Sequence, residues 1–242
     1  MKTVVIGDIH GRREWKDIVA ENGTDGVRYV FLGDYLDSHD DISIEQQCEN
    51  FFEIAEFKRS NPDNVVLLIG NHDLHYYNAG WNCSQFSTLT YSKVHELMKE
   101  MVDGHEIELA VIDIEAKIII IHAGLSRVWL KDHYGVETVD ENTLQSFRIA
   151  DFIFQAKSFF VDPYGYDDYQ SPAWIRPQSL VSCAVDGFTQ IVGHTGTNSG
   201  KITEYMDEAS GNLFVFCDCM PNQYVEIGED GVIRHKDVIV KK

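Results

Sequence analysis

The chain has 242 residues, 44% of them apolar, enough to bury a full core, and its composition excludes collagen, a coiled coil or a disordered chain. A formal charge of −19 repels nucleic acid and anionic membrane surfaces, and no basic patch offsets it, so neither is expected as a partner. No run approaches the ~20 apolar residues of a membrane helix, and Val4–Ile6 is too short for a signal peptide, so the reading is a cytoplasmic protein.

In chain order, Thr3–Ile6 reads as a buried strand and Trp15–Ala20 as a short helix stopped near Asn22-Gly23. Val27–Leu32 is a second strand. Ile42–Lys58 has helical periodicity, with Ile44, Cys48, Phe51, Phe52, Ala55 and Phe57 on the core side. Val65–Ile69 is β-branched and apolar throughout, as strands covered on both faces are. Ser92–Met101 reads as a helix. Ile107–Ile114 and Lys117–Ile121 read as strands joined at Glu115-Ala116, and Thr143–Phe160 as a long helix. Asp162–Pro177, rich in Pro, Gly, Tyr and Asp, reads as a functional loop or lid. Phe188–Val192 is another strand. Ile202–Tyr205, Leu213–Cys217, Tyr224–Ile227 and Val232–Arg234 close the chain as short strands. The alternation predicts an α/β fold in a single domain over 1–242. The five cysteines are odd in number and lack a CxxC pair, which favours reduced thiols over a disulfide framework. Cys217 and Cys219 read as neighbours on one strand face rather than as metal ligands.

Five segments share one layout: an apolar run, a small residue, then a side chain able to hold a metal. They end in Gly7-Asp8-Ile9-His10-Gly11, Gly33-Asp34-Tyr35-Leu36-Asp37, Gly70-Asn71-His72-Asp73, His122-Ala123-Gly124 and Gly193-His194-Thr195. Ligands collect at the carboxyl ends of strands in open α/β sheets, so five such ends can converge on one site. Asp, His and Asn are oxygen and nitrogen donors without thiolate, which suits Mn²⁺, Zn²⁺ or Fe. Glycine before Asp8, Asp34, Asn71 and His194 allows a sharp turn or a close backbone approach. Asp8 and His10, two apart, project to the same side of an extended chain. Any one of these segments alone is an ordinary turn or helix cap; the ordered set of five is not.

This set resembles the calcineurin-like metallophosphoesterases, and within them the phosphoprotein-phosphatase branch with its bacterial and phage members. The resemblance runs from residue 7 to about 195. It implies a two-sheet β-sandwich flanked by helices with two divalent metal ions, Mn²⁺ first and Fe or Zn²⁺ as alternatives, at one edge. It implies that Asp8, His10 and Asp34 hold the first metal. Asp34 bridges to the second, which Asn71, His122 and His194 complete. It implies that His72 is the general acid, oriented by Asp37. The implied reaction is hydrolysis of a phosphate monoester by in-line attack of a metal-bridging hydroxide, on a phosphorylated protein or nucleotide. Four positive charges against the carboxylates of Asp8 and Asp34 would also make the local field positive despite the global −19.

The sequence departs from the branch at two places. Arginine is usual after the position of Asp37 and just before Gly-Asn-His, where this chain has Ser38 and Ile69. Both would grip phosphate bidentately. Trp174-Ile175-Arg176 resembles a Trp-x-Arg segment of bacterial members, which makes Arg176 the candidate replacement; Arg12, Arg13 and Arg127 are weaker ones. Asn71-His72-Asp73-Leu74-His75 also resembles the symmetrical diadenosine tetraphosphatases, so dinucleoside polyphosphates are the alternative substrate. In that comparison His75 could contribute but reads first as structural, and the aromatic residues of Tyr164–Trp174 could stack on a base or simply pack over the core. A metal-binding scaffold without catalysis is the third reading. With all six implied ligands, His72 and Asp37 in place, nothing in the sequence shows decay.

Overall fold

The computed structural model describes residues 1–78, 80, 82–154 and 164–240. Among the described residues, eleven strands form two mixed sheets. In the first, β1 (Lys2–Ile6), β2 (Val27–Phe31), β3 (Val65–Leu68) and β4 (Ile107–Glu108) are parallel neighbours, with Val5 beside Val30 and Val30 beside Val66. The hairpin of β10 (Gln223–Ile227) and β11 (Ile233–Asp237) extends this sheet by antiparallel pairing of β10 with β1. In the second sheet β6 (Ile118–Ile120), β7 (Thr189–Val192) and β9 (Asn212–Phe216) are parallel. The edges β5 (Val111–Asp113) and β8 (Thr203–Asp207) are antiparallel to them.

Side-chain alternation explains the apolar runs. Val5, Val30, Leu32, Val66 and Leu68 meet Val111, Ile120, Ile191, Val215 and Cys217 between the sheets. Their neighbours Val4, Ile6 and Phe31 turn outward onto helical side chains such as Trp15, Ile18 and Phe51. Ile119, Ile121 and Val192 do the same on the other sheet. Each strand is thus covered on both faces, giving helix, sheet, sheet, helix. Cys217 and Cys219 are buried in the inter-sheet layer, and all five cysteines are free thiols.

Two helices cover the first sheet by local signals. α1 (Trp15–Asn22) buries Trp15 and Ile18. α2 (Ile44–Ser60) starts two residues later than expected because Ser43 caps it: its hydroxyl accepts from Gln46 N, and the Gln46 side chain accepts from Ser43 N. Such a cap contributes about 1 kcal/mol. Phe51 and Ile54 are buried, whereas Phe52, expected in the core, is 41% exposed. α4 (Thr88–Asp103) packs beside α3 (Asn71–Tyr77).

Several expectations are corrected. The run 107–114 is not one strand. β4 closes the first sheet and β5 opens the second, so the chain crosses between sheets at Leu109-Ala110. Over its described part, 143–154, the long helix expected across Thr143–Phe160 is instead α6 (Thr143–Ser146) and one turn of 3-10 helix, Ile149–Phe152. Phe147 and Arg148 are extended between them, and Arg148 and Tyr134 both bind the Asp151 carboxylate, so side chains fix the turn. Residues 155–160 lie outside the described ones, as do 162–163 of the expected lid. Of its described part, Tyr164 and Tyr166 are exposed, whereas Ser171, Ala173 and Ile175 are buried, and Pro177 opens α7 (Pro177–Cys183). Neither α7, α3 nor α5 (Arg127–Tyr134, capped by Ser126) was foreseen. No helix among the described residues is long and apolar enough to cross a membrane.

Candidate metal centre and active site

The carboxyl ends of β1, β2 and β3 in one sheet and of β6, β7 and β9 in the other meet along one edge of the sandwich. The first five deliver Asp8, Asp34, Asn71, His122 and His194, the strand ends singled out in the sequence. The sixth delivers Asp218, which shares the layout but was passed over with its flanking cysteines. The close approach depends on glycine. A Cβ on Gly193 would lie 2.0 Å from Asp8 Oδ1, and one on Gly70 would lie 2.1 Å from Asp34 Oδ1. Among the described non-glycine residues with left-handed backbones are His10, Asp34, Asp37 and His194, at φ of 46°, 51°, 61° and 64°. Each costs on the order of 1–3 kcal/mol, and this strain gathers where side chains are aimed at one point. His10 therefore sits on a turn, not on the extended chain expected beyond Asp8.

Ligand atoms of Asp8, Asp34 and His122 lie within 4.8 Å of one another. Asn71 Oδ1 is 2.9 Å from His122 Nε2 and 2.7 Å from His194 Nδ1. His10 Nε2 is 3.7 Å from Asp34 Oδ2. The expected six residues are thus brought together, with Asp34 between His10 and His122.

The outward nitrogens test whether cations fit. His10 Nδ1 is 2.8 Å from Leu36 O, His122 Nδ1 is 2.8 Å from Leu32 O, and His194 Nε2 is 3.2 Å from Trp174 O. A carbonyl oxygen only accepts, so each ring donates outward and turns a bare nitrogen inward. Those bare nitrogens face Asp34 Oδ2 and Asn71 Oδ1, which are also acceptors. Protonation does not resolve the conflict. Burial holds His10 and His122 down at about 3, and burial with the neighbouring Arg176 and His122 charges lowers His194. Burial pushes the Asp8 and Asp34 carboxyls up, reinforced for Asp8 by Asp218 and Asp34. Asp8 Oδ1 is buried without a hydrogen-bond partner. Inward lone pairs without protons, on rings oriented by backbone carbonyls, are the arrangement of a metal centre.

Two acidic residues organise the site from behind. Asp73 accepts from the backbone N–H groups of Asp34 (2.7 Å), Tyr35 (3.0 Å) and Gly70 (2.8 Å), tying the β2 loop to the β3 loop. Burial pushes its carboxyl up to about 7 against these three bonds. Asp37 lies 2.8 Å from His72 Nδ1. Burial would raise the Asp37 carboxyl, but His72, His75 and Tyr76 outweigh it and bring it to about 2. His72 Nδ1 therefore donates to Asp37, leaving Nε2 for the cavity. Burial lowers His72, and the Asp37 hydrogen bond and charge oppose that shift.

A cavity of about 450 Å³ opens over these residues, lined among others by His72, His194, Arg12, Arg176 and Asp218. Arg176 precedes α7, donates Nε to Tyr164 O at 2.8 Å and Nη1 to Thr195 Oγ1 at 3.1 Å, and so is held beside His194 rather than in a surface turn. Of the weaker arginines, Arg12 reaches the cavity wall, anchored through Nε by Asp40 at 2.9 Å. Arg13 faces Glu49 and Glu53, and Arg127 binds the carbonyls of Ala184 and Ser182, both away from the cavity. Ser38 N donates to Gln47 at the start of the next helix, and Ile69 is fully buried, so neither replaces a phosphate-binding arginine. Asp73 and Asp218 escaped the sequence reading. Asp218 had a visible signal, an apolar run ending in Asp; Asp73 had none.

Residues 1–207 match the calcineurin-like phosphoesterase family. A symmetrical bis(5'-nucleosyl)-tetraphosphatase of Enterobacter sp. is 25% identical over 143 residues, 53% of this chain and 45% of that one. A serine/threonine-protein phosphatase 4 catalytic subunit of Kluyveromyces lactis is 34% identical over 71 residues, 28% of this chain and 21% of that one. The chain thus spans less than half the length of these curated relatives. In fold it is similar to a protein serine/threonine phosphatase of Saccharomyces cerevisiae, with a TM-score of 0.58 at 15% identity, covering 100% of this chain and 81% of that one. Because the family match takes in every strand end from Asp8 to His194, the chain belongs to the calcineurin-like phosphoesterase family.

Proposed function

We propose that the chain is a metal-dependent phosphatase that hydrolyses phosphate monoesters, with phosphorylated Ser or Thr side chains as the leading substrate class. The observation that carries this reading is the set of three histidines, His122 and His194 buried and His10 half-buried, whose outward nitrogens donate to backbone carbonyls while bare nitrogens face Asp34 and Asn71. Asp8, His10 and Asp34 would hold one divalent cation, and Asp34, Asn71, His122 and His194 a second. Oxygen and nitrogen donors without thiolate suit Mn²⁺, with Fe or Zn²⁺ as alternatives. When bound, such a pair supplies concentrated positive charge and an activated water.

The chain's own residues supply the rest. His72 presents Nε2 to the cavity and gives its proton to the departing oxygen, a transfer that typically contributes ~10²–10⁴-fold. Asp37 fixes the ring by accepting from Nδ1 and favours the protonated form. Arg176, beside His194, grips a phosphoryl oxygen, and Arg12 lines the cavity with it. Asp8 and Asp34 are kept in place by the His194 and His72 backbone N–H groups, each at 2.9 Å.

The symmetrical bis(5'-nucleosyl)-tetraphosphatase relatives favour a second reading, cleavage of dinucleoside polyphosphates. The exposed Tyr164, whose carbonyl accepts from Arg176, would then offer a ring to a base. The test is phosphate release by Mn²⁺-loaded protein from a phosphopeptide against cleavage of diadenosine tetraphosphate at matched concentrations. Preference for the peptide supports the leading reading, and preference for the dinucleotide replaces it with the second. Inactivity on both at saturating metal would remove the enzymatic reading.

A further inference from the structure

We propose that His75 is a positioning residue for proton donation, the far member of a buried His72–Asp37–His75 chain that holds the Asp37 carboxylate in the plane His72 needs. This rests on the reading of His72 as the acid. α3 carries His72, His75 and Tyr76 three and four residues apart, so all share one helix face, and all three converge on Asp37. His72 Nδ1 and His75 Nε2 each lie 2.8 Å from the same oxygen, Asp37 Oδ2. The His75 contact is off the line of an ideal hydrogen bond, so it acts chiefly through the dipole of its N–H. The Tyr76 hydroxyl donates to the other oxygen, Oδ1, at 2.5 Å.

The His75 ring is fixed as firmly as the carboxylate it touches. It is fully buried, its edges packed against Tyr76 and Phe86 with ring centroids 4.3 and 4.9 Å away. Cys83 N donates to His75 Nδ1 at 3.1 Å. With Nδ1 accepting, Nε2 carries a proton on the Asp37 side of the ring. The same proton argues against a cation among Asp37, His72 and His75, although their ligand atoms lie within 4.8 Å of one another. The Asp37 backbone is left-handed, at φ 61°, a conformation that persists only when surrounding contacts over-determine it. His72 and Tyr76 grip one oxygen each, and the His75 dipole against Oδ2 narrows the freedom that remains about the Asp37 Cα–Cβ bond, so the His72 ring keeps a single orientation.

The test uses leaving-group dependence, which a merely structural role does not move. Full-length protein loaded with Mn²⁺ is assayed for kcat and KM on 4-nitrophenyl phosphate, phenyl phosphate and an alkyl phosphate, with metal content measured in parallel. A good leaving group departs without a proton and a poor one needs it. His75→Phe, which keeps the packing and removes both nitrogens, should lower kcat for the alkyl ester about 10-fold more than for the nitrophenyl ester, as loss of an outer contact that orients an active group does. KM and metal content should stay unchanged. His75→Gln, which can return an N–H to Asp37, should recover most of the difference. His72→Asn is the reference and should steepen the dependence further. Equal loss on all three esters, loss of a metal equivalent, or a Gln variant no better than Phe overturns the proposal. If His72→Asn fails to steepen the dependence, the acid assignment itself is wrong. If it steepens while the soluble His75 variants do not, only the role of His75 falls.

Discussion

Asp73 offers the sharpest check on how the centre is held. Its carboxylate takes backbone N–H bonds from Asp34, Tyr35 and Gly70. It is fully buried, so water does not readily replace it. Asp73→Ala leaves three buried donors without an acceptor. At the low end of the cost for an unsatisfied buried group, about 1 kcal/mol each, the loss is about 3 kcal/mol. For a chain of this length a kilocalorie lowers Tm by roughly 2–4 °C, so the variant should melt ~6–12 °C below wild type in metal-free buffer. Asp73→Asn still accepts two of the three bonds and should lose about a third as much. Because the released segment carries Asp34 at a left-handed φ of 51°, divalent-metal affinity should also fall ~10–100-fold, as when residues behind metal ligands are removed. Calorimetric melting and metal titration by isothermal calorimetry read both quantities. An Ala variant within 2 °C of wild type with unchanged metal affinity would refute the assignment of Asp73 as the clamp between the two loops.

Asp34→Asn should bind fewer metal equivalents and lose at least ~100-fold in phosphate release, because it removes the charge between His10 and His122; full activity with two metals retained would contradict its bridging role. Arg176→Ala should raise KM for an aryl phosphate about 10-fold with kcat little changed, the loss of one charge-assisted contact; unchanged KM would place Arg176 outside the substrate grip. Chelation should lower Tm, and restoring Mn²⁺ to 100 times its Kd should return ~2.7 kcal/mol, or about 5–11 °C; an unshifted Tm would mean the centre does not select the cation. Without metal, the raised Asp8, Asp34 and Asp73 carboxyls bind more protons folded than unfolded, so they favour the folded state below about pH 4 and lose that effect as pH rises through the folded values, about 7 for Asp73. The lowered His10, His122 and His194 act in the opposite sense up to about pH 6.5, so the readout is a difference between variants. Between pH 5 and 8 the urea midpoint of the chelated wild type should fall relative to that of chelated Asp73→Asn. A difference that does not change over that range would count against the burial of the Asp73 charge.

The sequence by itself determined which residues meet. Asp8, Asp34, Asn71, His122 and His194 each close an apolar run, and a strand end is a local signal, readable from the run and the glycine or small residue that follows. His10 and His72 come with them because they stand next to a strand end. Tertiary structure alone decided what holds them. Asp73 and His75 look like ordinary helix residues until residues more than thirty positions away are folded against them. Arg12 and Arg13 are adjacent in sequence, yet only Arg12 reaches the cavity, because Asp40 holds it there while Arg13 is drawn to Glu49 and Glu53. The break between β4 and β5 and the end of the expected helix at Ser146 have the same origin. Apolar patterning reports that a segment is buried but not which sheet buries it, and the bonds of Arg148 and Tyr134 to Asp151 override a helical period that depends only on neighbours a few residues apart.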